Sequence, residues 1–166
     1  MRKIFMILFF IINSFMAFTY TYEDYDIFIQ GKNAYYNREY EEAQNKFETL
    51  LNSYSFSPIL KNNYAFYFIG MTYYRMGDWK KAVFYLEKAV FSHKLSFFNR
   101  GSEIEKNIYF AERDYSLGDA LIKTGNKETG LVYLKRLDYS TFSPLTSHFE
   151  EKALSLLSKE DISYQN

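Results

Sequence analysis

Residues 66–89 read FYFIGMTYYRMGDWKKAVFYLEKA, and the spacing inside this stretch decides the fold. Gly70 is followed by Tyr73 three residues on, Gly77 seven on, Ala82 twelve on and Leu86 sixteen on. Gly118 opens the same 17-residue pattern with Leu121, Gly125, Gly130 and Leu134. Gly31 opens a third copy, with Ala34 at three, Ala43 at twelve and Phe47 at sixteen. Self-similarity at a period of about 34 residues or a little more marks helical hairpins that cannot bury their apolar face alone and so stack on their neighbours. Small residues at Gly31, Gly70 and Gly118, and at Ala43, Ala82 and Gly130, let helix backbones approach closely. Tyr73, Leu86, Leu121 and Leu134 fill what remains. The pattern predicts an all-α, helical-hairpin solenoid of about three repeats closed by a C-terminal capping helix.

Working outward, the first hairpin runs as a helix from Glu23 to Tyr36, a turn at Asn37, and a partner helix carrying Phe47, Leu50 and Leu51. Both prolines, Pro58 and Pro144, follow a Phe-Ser pair, 86 residues apart. Serine as N-cap with proline in the first helical position marks a helix start, because proline's missing donor costs nothing there. The second hairpin therefore runs from Pro58 to about Met76, turns at Gly77-Asp78, and returns from Trp79 to about Phe91 with Ala82, Leu86 and Ala89 on one stripe. Residues 92–101 are a loop holding Leu95, Phe97 and Phe98. Ser102 and Glu105 form a capping box for a long helix to about Thr124. Asn126 to Leu137 closes the third hairpin. The last helix, Pro144 to Ser158, places Phe149, Ala153 and Leu157 opposite Glu150, Glu151 and Lys152, as a terminal cap requires. The organisation is a domain over 22–158, with repeats at 23–57, 58–91 and 102–143, the cap at 144–158 and a polar tail at 159–166.

Lys+Arg and Asp+Glu balance at 20 each, so nucleic acid is not an expected partner. The N-terminus has the pattern of an export signal over residues 1–21: Arg2 and Lys3, an apolar run from Ile4 to Ile12, then small residues near Ala17. That run is too short to span a bilayer unaided, so a membrane is contacted only through an uncleaved N-terminal segment, if at all. Cysteine is absent, which excludes disulfides, thiolate metal sites, cysteine nucleophiles and lipid attachment to an N-terminal cysteine. An exported, periplasmic chain is the reading these features give, membrane-associated where the signal stays uncleaved.

Catalytic constellations are missing. His93 and His148 have no second histidine at helical spacing, and the pairs Glu41-Glu42 and Glu150-Glu151 point about 100° apart on a helix rather than at one substrate. Residues 118–125 lack the ending of a phosphate loop. No catalytic residue, metal or cofactor is expected.

The run Phe66-x-x-Ile69-Gly70-x-x-Tyr73, continued by Ala82-x-x-x-Leu86 and Ala89, resembles the tetratricopeptide repeat. The first and third copies keep the glycine, but Asp114 stands where a large apolar residue is usual. The tyrosine-rich hairpin ends followed by Ser-Pro resemble bacterial periplasmic envelope proteins of the BamD and Tol-Pal coordinator type. The resemblance implies that the first helix of each hairpin lines a concave groove. Carried over, this face comprises Phe28, Lys32, Tyr35 and Tyr36; then Tyr64, Tyr67, Met71, Tyr74 and Arg75; then Tyr115, Asp119, Ile122 and Lys123. Tyrosine offers broad contact area with a polar tip and few rotors to freeze. With 17 tyrosines, several fall on any face by composition alone. The function implied is a non-enzymatic scaffold or adaptor that binds a peptide of an envelope or outer-membrane protein. The alternatives are a glycan-binding accessory to cell-wall enzymes and a membrane-anchored structural subunit of an envelope complex.

Overall fold

The computed structural model describes residues 23–53, 63–89, 102–138 and 147–162, and their side chains over 23–52, 65–89, 108–137 and 148–159. All of these segments are helical: α1 (23–36), α2 (Tyr40–Ser53), α3 (Asn63–Met76), α4 (Trp79–Lys88), α5 (Ser102–Lys123), α6 (Lys127–Asp138) and α7 (Ser147–Ile162). No strand occurs among the described residues, and none of their helices is long and apolar enough to cross a membrane. The fold class is all-α, built from helical hairpins. The chain forms two compact units, Met1–Ala65 and Phe66–Asn166, with the boundary in the first turn of α3.

Each hairpin turn closes by the same pair of backbone bonds. Gly77 N–H donates to the Tyr74 carbonyl (3.2 Å) and Asp78 N–H to that of Tyr73 (3.0 Å). Gly125 and Asn126 repeat this with Ile122 (3.0 Å) and Leu121 (2.8 Å), and Arg38 and Glu39 with Tyr35 (3.0 Å) and Ala34 (2.9 Å). The pattern is a Schellman motif, whose pivotal residue must be left-handed. Gly77 (φ 82°) and Gly125 (φ 90°) fill that position in two turns, and Arg38 (φ 68°) in the other. Asp78 then caps α4, its carboxylate accepting from Lys81 N–H at 3.1 Å.

In the first unit the α1–α2 hairpin buries Ala34, Ala43, Phe47 and Leu50. A Cβ added at Gly31 would meet the Phe47 ring at 2.7 Å, so the two helices cross where only glycine fits. In the second unit, a Cβ at Gly70 would meet the Leu86 side chain at 2.7 Å and its backbone nitrogen at 2.9 Å. Gly118 and Gly130 face one another: a Cβ on the latter would lie 2.6 Å from the Gly118 carbonyl oxygen. Leu86 and Leu134 are fully buried beside these crossings. Helix α7 packs on α5 and α6, setting Ala153, Phe149, Leu156 and Leu157 against Ala111, Leu134 and Leu137.

Three boundaries differ from expectation. Helix α4 stops at Lys88, with Ala89 as its C-cap. Helix α6 begins at Lys127. Helix α7 continues to Ile162, four residues into the expected polar tail, because no glycine or proline interrupts that stretch. The export signal, both Phe-Ser-Pro starts and the loop at 92–101 lie outside the described residues, as do the side chains of the Ser102 capping box.

Candidate functional site

Helices α3 and α5 meet through two tyrosine–carboxylate bonds in one register. The Tyr67 hydroxyl donates to Glu112 Oε2 (2.5 Å) and the Tyr74 hydroxyl to Asp119 Oδ2 (2.7 Å), each across 45 residues of sequence. Positions 67 and 74 are two helical turns apart, as are 112 and 119, so the bonds form successive rungs on matching faces. Each carboxylate also takes a cation. Arg75 Nη2 donates to Glu112 Oε1 at 2.8 Å, and Lys123 Nζ donates to Asp119 Oδ2 at 2.6 Å.

The turn adds an aromatic wall. With Gly77 left-handed, α4 starts beside the end of α3, and Trp79 meets Tyr74 edge-on with ring centroids 5.3 Å apart. Lys123 Nζ lies 4.0 Å from the Trp79 ring centroid, so one ammonium serves both Asp119 and the indole face. On the other side, Tyr115 packs against Phe149 of α7 at 6.2 Å, with Lys152 Nζ 5.9 Å from the Tyr115 ring. Burial, and then the hydrogen bond to Asp119, push the Tyr74 phenol well above the usual tyrosine range. Burial also raises Tyr115, helped by the Asp119 charge, while its hydrogen bond with Tyr74 and the Arg75 charge oppose the shift. Both phenols therefore stay protonated at neutral pH, and Tyr74 acts as a hydrogen-bond donor to Asp119 and not as a base.

The anticipated groove residues divide. Tyr74, Arg75, Tyr115 and Asp119 come together on this face. Asp119 is 5% exposed, so it holds Tyr74 and Lys123 in place from behind the surface and is not itself a contact. Tyr67 and Met71, expected to line an open groove, are buried at 1% and 0% exposure. Tyr67 packs edge-on against Phe68 (5.0 Å) and against Tyr109 (4.8 Å), which makes it part of the core between α3 and α5. In the first unit, Phe28 is half-buried on Phe47 (6.3 Å), and Tyr35 is buried between Tyr36 (5.7 Å) and Tyr40 (5.9 Å). Lys32 Nζ lies 5.7 Å from the Tyr36 ring. The Tyr64 side chain lies outside the described residues. Trp79, Glu112 and Lys152 belong to the face and were not anticipated. The 45-residue register of the rungs is three residues short of the 48-residue spacing of Gly70 and Gly118, which puts Glu112 three residues before Tyr115, the repeat counterpart of Tyr67.

Asp114, the departure from the repeat pattern, is fully buried and paired with the neighbouring Arg113, whose Nε donates to Oδ1 at 2.9 Å. Arg113 Nη1 donates to the Ala89 carbonyl (2.6 Å), so the guanidinium also satisfies the C-terminal end of α4. Among the described residues, no cluster of three or more His, Cys, Asp or Glu could hold a metal ion.

No curated protein matches the chain. Residues 64–90 match the family model of the tetratricopeptide repeat, a repeat that generally mediates contact between proteins. The match covers α4 and nearly all of α3, the hairpin that bears Tyr74, Arg75 and Trp79. The hairpin of α3 and α4 is thus similar to a tetratricopeptide repeat.

Proposed function

We propose that this chain is a non-enzymatic interaction scaffold of the bacterial periplasm that docks a peptide segment of an envelope protein on the α3–α5 face. The observation that carries this reading is the fixing of that face before any partner arrives. Tyr74 is held by Asp119, Lys123 by Asp119 and Trp79, and Arg75 by Glu112. Ordered aromatic and cationic side chains lose little entropy on binding, which is what a docking surface needs. Arg75 and Lys123 are each matched by a carboxylate and Lys152 stands over the Tyr115 ring, which favours a peptide with mixed apolar and charged groups over a uniformly acidic tail.

A photo-crosslinking residue in place of Lys123, whose side chain is 41% exposed, tests the reading in the intact envelope. One partner should be captured, and Tyr74→Ala or Arg75→Ala should sharply reduce its recovery. Undiminished capture in both variants would remove this face from the account. The periplasmic assignment rests on the N-terminal pattern, and the intact mass of the native protein tests it: export with cleavage removes the first ~21 residues.

A further inference from the structure

A concavity lies between α4, α5 and α6, with a volume of about 230 Å³. On α5 it uses Phe110 and Arg113. At 100° per residue these project from nearly the opposite side of the helix to Glu112, Tyr115 and Asp119, so this pocket is separate from the face described above. Leu86, Phe110 and Tyr133 supply apolar wall, and Glu87, Arg113 and Arg136 supply charge. Two of the walls are cation–aromatic stacks: Arg113 over Phe110 at 4.4 Å and Arg136 over Tyr133 at 4.5 Å. Arg113 is committed to Asp114 and to the Ala89 carbonyl, which makes its wall rigid. Glu87 and Arg136 are both exposed, and the Arg136 guanidinium, stacked on Tyr133, also lends its charge to the buried Asp114.

We propose that this pocket is a second docking site that takes one apolar or aromatic side chain of a partner peptide, flanked by one basic and one acidic residue. The size favours a single side chain, since small-molecule and cofactor sites run from about 300 to 1,000 Å³. The charges set the flanks: the Arg136 fork is suited to bidentate binding of a carboxylate, and the Glu87 carboxylate takes an ammonium or guanidinium. The rigid Arg113 stack means that the wall does not have to be ordered on binding.

The probe is the blocked tripeptide acetyl-Lys-Phe-Asp-amide, titrated into the isotope-labelled full chain and followed by amide chemical shifts. Saturable shifts should appear at Leu86, Glu87, Phe110 and Tyr133, with an affinity in the millimolar range. Arg136→Gln and Glu87→Lys, both at exposed positions, should each weaken binding about tenfold or more. Acetyl-Lys-Ala-Asp-amide should give no saturable shift. Absence of shifts with the phenylalanine peptide, shifts confined to the Tyr74 face, or equal binding by both variants would each overturn the proposal. Of these results, only shifts confined to the Tyr74 face bear on docking at the α3–α5 face, and they would favour it.

Discussion

Arg38 adopts the left-handed conformation that Gly77 and Gly125 adopt in the other two hairpin turns, at φ 68°. An L-residue bears roughly 1–2 kcal/mol there that glycine does not, although glycine adds freedom to the unfolded chain. Arg38→Gly should therefore stabilise the chain by up to about 1 kcal/mol, read as a higher urea midpoint at constant slope. The opposite substitution at the helix crossing has the opposite sign. Gly130→Ala would drive a Cβ to 2.6 Å from a backbone oxygen, which no side-chain rotation relieves. It should cost about 1–3 kcal/mol or more by overpacking, and the same thermal or urea melt decides it. Asp114 carries a pH effect. Burial raises its carboxyl above the usual range, and the charges of Arg113 and Arg136 only partly oppose this. A folded-state value above the unfolded one of about 3.9 means that the native state binds the proton more tightly, so this group's contribution declines as pH rises from about 4 upward. Urea midpoints of the native chain relative to Asp114→Asn should fall across that range, and parallel curves would rule the account out.

At the scale of the helices, the two tyrosine–carboxylate rungs fix the register of α3 on α5. A part-buried charge-assisted bond contributes up to about 1.5–3 kcal/mol, more than an exposed ion pair such as Arg75 with Glu112 gives. A double-mutant cycle on Tyr74→Phe and Asp119→Asn should thus show a coupling of about 1–2 kcal/mol in unfolding free energy, and additivity would mean that the bond is not formed. Sequence spacing reached this level unevenly. Gly70, Gly77 and Leu86 mark helix, turn and seam because each position admits few residue types, and their recurrence at Gly118, Gly125 and Leu134 is visible in the letters alone. Tyr74, Arg75 and Tyr115 of the α3–α5 face were reached by carrying over the helix face that the tetratricopeptide resemblance implies. The same step failed for Tyr67 and Met71, because a helix face gives direction and not depth. Whether Tyr67 is covered depends on Tyr109 and Glu112, which come from the next hairpin. Trp79 was hidden differently: it opens the returning helix, and only the left-handed turn at Gly77 brings it back to Tyr74.

At the scale of a whole compact unit, stacked hairpins distribute stability over interfaces between neighbours, so an end helix stabilises chiefly what it touches. In the unit Phe66–Asn166, that end helix is α7, which sets Ala153 and three larger apolar side chains against α5 and α6. Phe149, Leu156 and Leu157 are each half-buried, so their burial contributes on the order of 3 kcal/mol together. A stop after residue 146 should lower stability by about that amount. It should also accelerate amide exchange in α6 and at Ala111 and Tyr115, while the Gly70–Leu86 crossing of α3 and α4 keeps most of its protection. The same truncation removes Phe149 and Lys152 from beside Tyr115, so it reaches the docking face as well. A chain in which every amide lost protection equally would unfold as one cooperative body, and α7 would then stabilise the whole unit.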